Sequence, residues 1–474
     1  MSVREVPTII AGDRRSTGEF FELTSPGSDT VVAKVNRSTL EDVDAAIEAA
    51  YQARATMADM PVHQRQQILR TAAALLKSRI DPMARAIVEE TGKTLKDAKG
   101  ELDRAWEATS FTADACTQAT GEMIPASTVR HGEGMLAFVM RVPVGVVVAI
   151  TPFNAPVSVG CHKIAPAIAG GNTVVLKPAP RGATSSLQLV ELFYEAGLPE
   201  EALSLVHGGA DVGSALVTDA RVRLVNFTGG GRTASAISKE IGLKRSVMEL
   251  GGNGAVIIHS DADIEAAIPT VAMAAFGLSG QSCVSLQRLL VHRQVYDQVV
   301  DKLVAVAENL KLGDPLDPNT DIGPLVTEED AIRIENWTQM AVTGGARVLT
   351  GGKHQGAFFQ PTVVVDTKDD MQLNCNEVFG PLVTISPYDD FDEAIDRVNK
   401  SPWGLQAGVF TRSLALAIKA ARKIEVGGLM VNIPNRYRVE NQPYGGVKQS
   451  GWGREGAKYA IEDMTDMRTV LINP

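Results

Sequence analysis

What most limits the folds open to this chain is a change of hydrophobic rhythm near Ala137. Upstream, residues 40–57, 62–92 and 101–120 carry apolar side chains at the spacing of amphipathic helix. Downstream, short apolar runs alternate with helical stretches. Strand is expected at 138–150, 173–176, 202–207, 223–227 and 246–250, and helix at 158–169, 185–196 and 232–241. A strand apolar along its length is buried on both faces, and the helices between such strands are the crossovers of a parallel sheet. Gly, Pro or Asn marks most of the joints. This unit reads as a doubly wound α/β domain. After Gly251 the alternation restarts, with helix at 264–276, strand at 288–292 and helix at 294–309, which predicts a second α/β domain. A chain of 474 residues is too long for one simple core, so two or three domains are expected.

Composition narrows the partners. Apolar residues make up 45% and charged residues 22%, as in an ordinary globular protein. The net charge of −10 argues against nucleic acid or an anionic membrane as main partner. The most apolar run, 142–153, contains two prolines and is too short to span a bilayer. Cys116, Cys161, Cys283 and Cys375 are far apart, without C-x-x-C or zinc-ligand spacing, so neither a disulfide framework nor a metal site is expected. With no signal-peptide stretch at the start, the expected location is cytoplasmic.

Five places could carry chemistry. Cys283 sits in Gly280-Gln281-Ser282-Cys283-Val284-Ser285, small and polar as an accessible turn requires; it reads either as a nucleophile or as an inert buried thiol. Glu249 closes an apolar strand before Gly251-Gly252, either as a salt-bridged strand end or as a general base whose pKa rises on burial. Asn154, in Thr151-Pro152-Phe153-Asn154-Ala155-Pro156, is either a turn residue or an amide donor to a developing oxyanion. Lys177 ends a strand, where open α/β sheets bind ligands, and is placed to meet a cofactor ribose unless it is simply solvated. Gly229 and Gly230, after Phe227-Thr228, join a strand to a helix, a place for cofactor phosphates or nicotinamide or else a tight turn. The G-x-G-x-x-G of 451–456 has no clear strand before it and too little chain after it for a βαβ unit.

Taken together, the segments at 151–156, 176–178, 227–229, 249–252, 280–283, 377–381 and 443–456 resemble the aldehyde dehydrogenase superfamily in order and approximate spacing, over essentially the whole chain. The resemblance implies a Rossmann-like cofactor domain (1–120 and 142–250), an α/β catalytic domain (251–445) and a small β oligomerisation flap (121–141 and 446–474) of a homodimer or homotetramer. It implies NAD(P)-dependent oxidation of a small-molecule aldehyde. Cys283 would be the nucleophile, Asn154 and the Cys283 N–H the oxyanion donors, and Glu249 the activator of the hydrolytic water. Lys177 and Glu377 would hold the two riboses, with Phe379, Thr151, Phe153, Gly229 and Gly230 also at the cofactor. Retention of Glu249 favours hydrolysis over acyl transfer to coenzyme A.

Two departures bear on the cofactor. Pro180 stands where the family often has Glu, and Arg181 beside it could pair with a 2′-phosphate, which leaves NAD and NADP both open. Gly229-Gly230-Gly231 lacks a hydroxyl usual at the pyrophosphate. Within the superfamily, Arg436-Tyr437-Arg438-Val439-Glu440 and the tail Tyr459-Ala460-Ile461-Glu462-Asp463-Met464-Thr465 are similar to the lactaldehyde and phosphonoacetaldehyde dehydrogenase branch. That likeness implies that Arg104, with Arg438, binds the anionic or hydroxylated end of a small aldehyde; the alternative for Arg104 is a surface salt bridge with Asp103 or Glu107. Ala155 and Ser282 make the pocket less basic than in some members, so a neutral hydroxyaldehyde, a semialdehyde or an aromatic aldehyde stays open. A Cys-dependent esterase or acyltransferase without redox turnover would share the nucleophile. A non-enzymatic scaffold has no physical need for Cys283, Glu249 and Asn154 together.

Overall fold

The computed structural model describes residues 3–28 and 30–474. Two large sheets dominate it. The first has eight strands in the order Gly451–Trp452, Arg245–Glu249, Val222–Thr228, Val146–Thr151, Thr173–Pro178, Leu203–Leu205, Thr8–Ile10 and Asp13–Arg15. Its five central strands are parallel, and the outer ones pair antiparallel. The second has seven strands, from Arg347–Thr350 at one edge through Thr362–Val365, Leu382–Tyr388, Leu286–His292, Gly254–Ile258 and Gln406–Phe410 to Gly428–Val431. All but the first of these pairings are parallel. The alternation in the sequence thus becomes two α/β units, as its periodicity requires.

The run at 138–150, which reads as one strand, is two. Leu136–Pro143 pairs antiparallel with Thr465–Ile472 and Glu122–Ile124 in a separate three-stranded sheet, whereas Val146–Thr151 starts the parallel sheet. Pro143 has no N–H to give a ladder, and Gly145 at φ 116° turns the chain between the two. The helical stretch at 62–92 likewise divides at Arg79, and Gly92 closes it in a left-handed cap. Short strands at 4–36 carry no clear alternation and were not apparent from the pattern. The G-x-G-x-x-G segment forms an edge strand antiparallel to Arg245–Glu249 and opens no βαβ unit. Among the described residues, no helix is long and apolar enough to cross a membrane.

One polar device fixes the loop that matters below. Helix Pro156–Ala169 has no side-chain cap of its own. Its first free N–H groups, on Val157 and Ser158, donate to Glu101 Oε1 at 2.9 and 3.2 Å, and the other Glu101 oxygen takes Lys93. Both partners are buried. Breaking a buried pair leaves a charge without compensation. Lys93→Met is therefore expected to cost about 3 kcal/mol in urea unfolding, whereas Lys302→Met, on the exposed pair with Glu265, should cost less than about 1 kcal/mol.

Candidate active site

In chain order, the five central strands of the first sheet lie 3-2-1-4-5, so the winding reverses between Val146–Thr151 and Val222–Thr228. Ligands of open α/β sheets bind beyond the strand ends at such a switch point. A cleft of about 450 Å3 opens there. The hydroxyls of Thr151 and Thr228, at the ends of the two switch strands, are buried in it without a hydrogen-bond partner. Lys177 closes the next strand and borders the same cleft, its ammonium pushed down by burial. Helix Gly231–Glu240 begins with no side-chain cap, and a side chain at Gly230 would meet nothing within 4 Å. Free N–H groups, open space and the positive end of a helix dipole make an anion cradle. Orphan hydroxyls and cradle together suit a dinucleotide. Ala179 belongs to the cleft wall, but Pro180 and Arg181 lie outside it; Arg181 Nη1 donates to the Thr24 carbonyl at 2.6 Å.

The second sheet meets this cleft with the opposite ends of its strands. Leu278, Ser279 and Gly280 form a left-handed turn, at φ 58°, 52° and 67°, which delivers Cys283 just before Leu286–His292. A Cβ on Gly280 would collide with the Gly380 carbonyl, so the cysteine turn packs directly on the loop of Glu377 and Phe379. The Phe379 ring stands edge-on to Phe153, with centroids 5.9 Å apart. The Glu377 carboxylate accepts the Gly252 N–H at 3.1 Å and occupies the space a side chain at Gly251 would need. Burial pushes it up to about 7.

Cys283, Glu249 and Asn154 all border the cleft. Asn154 Nδ2 donates to the Gln281 carbonyl at 2.9 Å, two residues before the cysteine, which leaves its second amide proton free. Cys283 Sγ lies 3.2 Å from the Tyr444 hydroxyl. Burial pushes the thiol up to about 11, with the Tyr444 bond working against it. Glu249 is 3% exposed, and neither carboxylate oxygen has a hydrogen-bond partner. Burial first, and then the negative charge of Glu455, hold it well above the usual carboxylate range; Lys163 and Arg438 pull the other way.

Behind Glu249 is a buried ion network whose members, apart from Arg438, sequence reasoning passed over. Arg438 pairs with Glu440 at 3.1 Å and Glu455 at 3.0 Å, while His162 meets Glu440 at 2.7 Å. Lys163 lies 3.8 Å from Glu455 and donates to Asn226 at 2.6 Å. Burial works against both carboxylates, but Arg438 and His162 hold Glu440 at about 2, and the same pair with Lys163 keeps Glu455 lowered. The available signal was His162-Lys163, two polar residues in the otherwise apolar run of helix Pro156–Ala169. Arg438 also borders the cleft, its guanidinium committed to this network. Arg104 pairs with neither Asp103 nor Glu107: Asp103 takes Lys77 at 2.7 Å, and Arg104 Nε is buried with no hydrogen bond, 3.9 Å from Glu440. Arg436, two residues before Arg438, faces the cleft with one donor used on the Met273 carbonyl at 2.9 Å. Gly277 leaves room for that guanidinium.

Known proteins resemble this chain in sequence and in structure. A 3-sulfolactaldehyde dehydrogenase of Priestia aryabhattai is 42% identical over 472 residues, covering 99% of this chain and 98% of that protein. A lactaldehyde dehydrogenase of Methanococcus maripaludis is 36% identical over 460 residues, covering 96% and 97%. The crystal structure of aldehyde dehydrogenase 21 from Physcomitrella patens, in complex with its reaction product succinate, superposes with a TM-score of 0.97 at 36% identity, covering 100% of this chain and 99% of that one. The model of the aldehyde dehydrogenase family matches residues 13–470. The chain belongs to the aldehyde dehydrogenase family, NAD(P)-dependent enzymes that oxidise an aldehyde to the acid.

Proposed function

We propose that this enzyme oxidises a small aldehyde with an anionic end, through a thioester on Cys283 hydrolysed by Glu249. The observation that carries the reading is the convergence of Cys283, Asn154 and Glu249 in one cleft with the unpartnered hydroxyls of the switch point. Cys283 sulfur bonds the carbonyl carbon, and the oxygen that becomes negative accepts from the free Asn154 amide proton and the Cys283 backbone N–H. NAD or NADP, when bound, supplies the hydride acceptor, held by Lys177, Glu377, Phe379, Thr151, Phe153, Gly229 and Gly230. Loss of hydride from the adduct leaves the thioester. Glu249 then takes a proton from the water that attacks it, and its unpartnered oxygens are free for that water.

Arg104 and Arg436 are the anion-recognising pair in this reading. It is supported by the unused Arg104 Nε, by a relative named for 3-sulfolactaldehyde, and by succinate as the product bound in the Physcomitrella patens enzyme. Ala155 and Ser282 add no charge of their own. The domain reading is 1–120 and 142–250 for cofactor, 251–445 for catalysis, and 121–141 with 446–474 for assembly. The small sheet leaves Met123, Leu136, Met140, Met467 and Leu471 exposed, an apolar surface suited to a homodimer or homotetramer. Four free cysteines fit a cytoplasmic location.

An aldehyde panel with NAD and NADP, followed by reduced-cofactor absorbance, tests the chemistry. Cys283→Ala should abolish turnover, and full activity in that variant would remove the nucleophile assignment. Glu249→Gln should release one burst of reduced cofactor per site and then slow by about 100-fold or more. In wild type the base works only when ionised, so deacylation should rise with pH through the raised pKa of Glu249, and Glu249→Gln should lose that limb.

For the substrate, Arg104→Gln and Arg436→Gln should each lower kcat/KM for 3-sulfolactaldehyde by about tenfold or more, the weight of a charge-assisted hydrogen bond. Lactaldehyde should be nearly unaffected. Equal losses on both aldehydes would sink anion recognition. For the assembly, Met467→Glu with Leu471→Glu should reduce the mass measured by light scattering to that of a single chain.

A further inference from the structure

The mechanism above leaves one polar group at the reacting sulfur without a task. The hydroxyl of Tyr444 is 3.2 Å from Cys283 Sγ, and its ring is buried. The Arg438 guanidinium lies 4.0 Å from the centre of that ring and is itself held by Glu440 and Glu455. The backbone next to it is fixed as well: a Cβ at Gly445 would stand 2.7 Å from Glu249 Oε1. Tyr444 therefore cannot drift from the sulfur without disturbing the ion network or the general base.

We propose that Tyr444 is a further catalytic residue, whose O–H donates to Cys283 Sγ and favours the thiolate that attacks the aldehyde. This rests on the reading of Cys283 as nucleophile. The direction of the bond follows from which group ionises first. Burial raises both, but the phenol is held further out of reach than the thiol, so sulfur takes the negative charge and oxygen keeps its proton. The proton lost by the thiol goes to solvent.

The charged groups around the sulfur make the contact necessary. Glu249, Glu377 and Glu455 approach from three different segments, and each carboxylate disfavours a thiolate. Of the cations at the cleft, Arg438 is spent on Glu440 and Glu455, Arg104 lies near Glu440, and Arg436 is the one whose charge is felt at the sulfur. A hydroxyl in direct contact supplies what those distant charges do not, and a cation over the ring face strengthens it as a donor. A bonded thioether sulfur accepts hydrogen bonds weakly, so the contact favours the free thiolate over the adduct. More thiolate is gained at the cost of some nucleophilicity per thiolate, because that falls with pKa.

The test is the rate of iodoacetamide alkylation of Cys283 against pH in wild type and Tyr444→Phe, with Cys283→Ser as blank to remove labelling of Cys375. The phenylalanine variant should show an apparent thiol pKa about one pH unit higher. Its high-pH plateau should rise roughly threefold, as the Brønsted slope requires. The kcat/KM profile should move by the same amount, with affinity for NAD and NADP unchanged. An unchanged alkylation profile, or a shift to lower pH, would overturn the proposal. Should Tyr444→Phe lose cofactor binding, the ultraviolet difference titration of wild type against Cys283→Ser decides instead: thiolate absorbance must appear at lower pH than tyrosinate, and the reverse order overturns the proposal. Turnover persisting in Cys283→Ser would defeat the nucleophile reading while leaving the alkylation shift of Tyr444→Phe legible on its own.

Discussion

A carboxylate buried without a hydrogen bond is the constraint around which this molecule is arranged. An ionised Glu249 in that position would cost several kcal/mol; burial holds the residue well above the usual carboxylate range. The register of the sheet leaves little choice about where it sits. Glu249 is locked between Thr228 on one side and Gly451 on the other, and its own carbonyl accepts the Gly229 N–H at 3.1 Å. The side chain must then enter the cleft. Glu455 lies in the same interior yet stays ionised, because His162, Arg438 and Lys163 surround it. Two carboxylates in one region are thus driven apart in acidity by their partners, which is how an interior separates a titrating base from a fixed charge.

The cleft is narrow because glycines let the two sheet edges meet. Gly251 yields its side-chain space to Glu377, Gly280 lies against the Gly380 carbonyl, and Gly445 lies against Glu249. Only Gly280 among these also needs a left-handed backbone, at φ 67°. Each contact joins an element of one sheet's rim to a loop that carries a polar side chain, so substitution at any of them would open the gap between sulfur, carboxylate and amide. Helix Pro156–Ala169, anchored at its first turn by Glu101, keeps the Asn154 loop in step with this rim.

Those features were legible to different degrees. The apolar runs at 146–151, 173–178 and 222–228 disclosed the parallel sheet, because strands buried on both faces need no alternation to be recognised. The break at Val144-Gly145 was not apparent, since hydrophobicity continues across it and only a backbone dihedral ends the strand. Cys283, Glu249 and Asn154 stood out as polar residues where apolar or turn residues were due. The ion network did not, because Glu440 and Glu455 lie in polar loop sequence where a carboxylate is unremarkable; their burial is produced by the fold. Arg436 and Arg438 show the same limit. Both border the cleft, yet one meets a carbonyl and the other two carboxylates, and no local pattern in an irregular segment tells them apart.

On the proposed reading, the charges of that network also bear on how a protein of net negative charge would draw in an anion. Arg438 and Lys163 are opposed by Glu440 and Glu455, so the network brings little field of its own to the cleft. What remains for an incoming ligand is Arg104 and Arg436 against Glu249. Burial disfavours the charged form of Glu249, and a carboxyl group without charge would not repel an anionic aldehyde. Once the thioester has formed, the same residue must ionise to activate water. Burial of Glu249 therefore bears on both halves of the proposed reaction: it disfavours negative charge in the cleft during capture, and it makes the carboxylate a stronger base toward the water of hydrolysis.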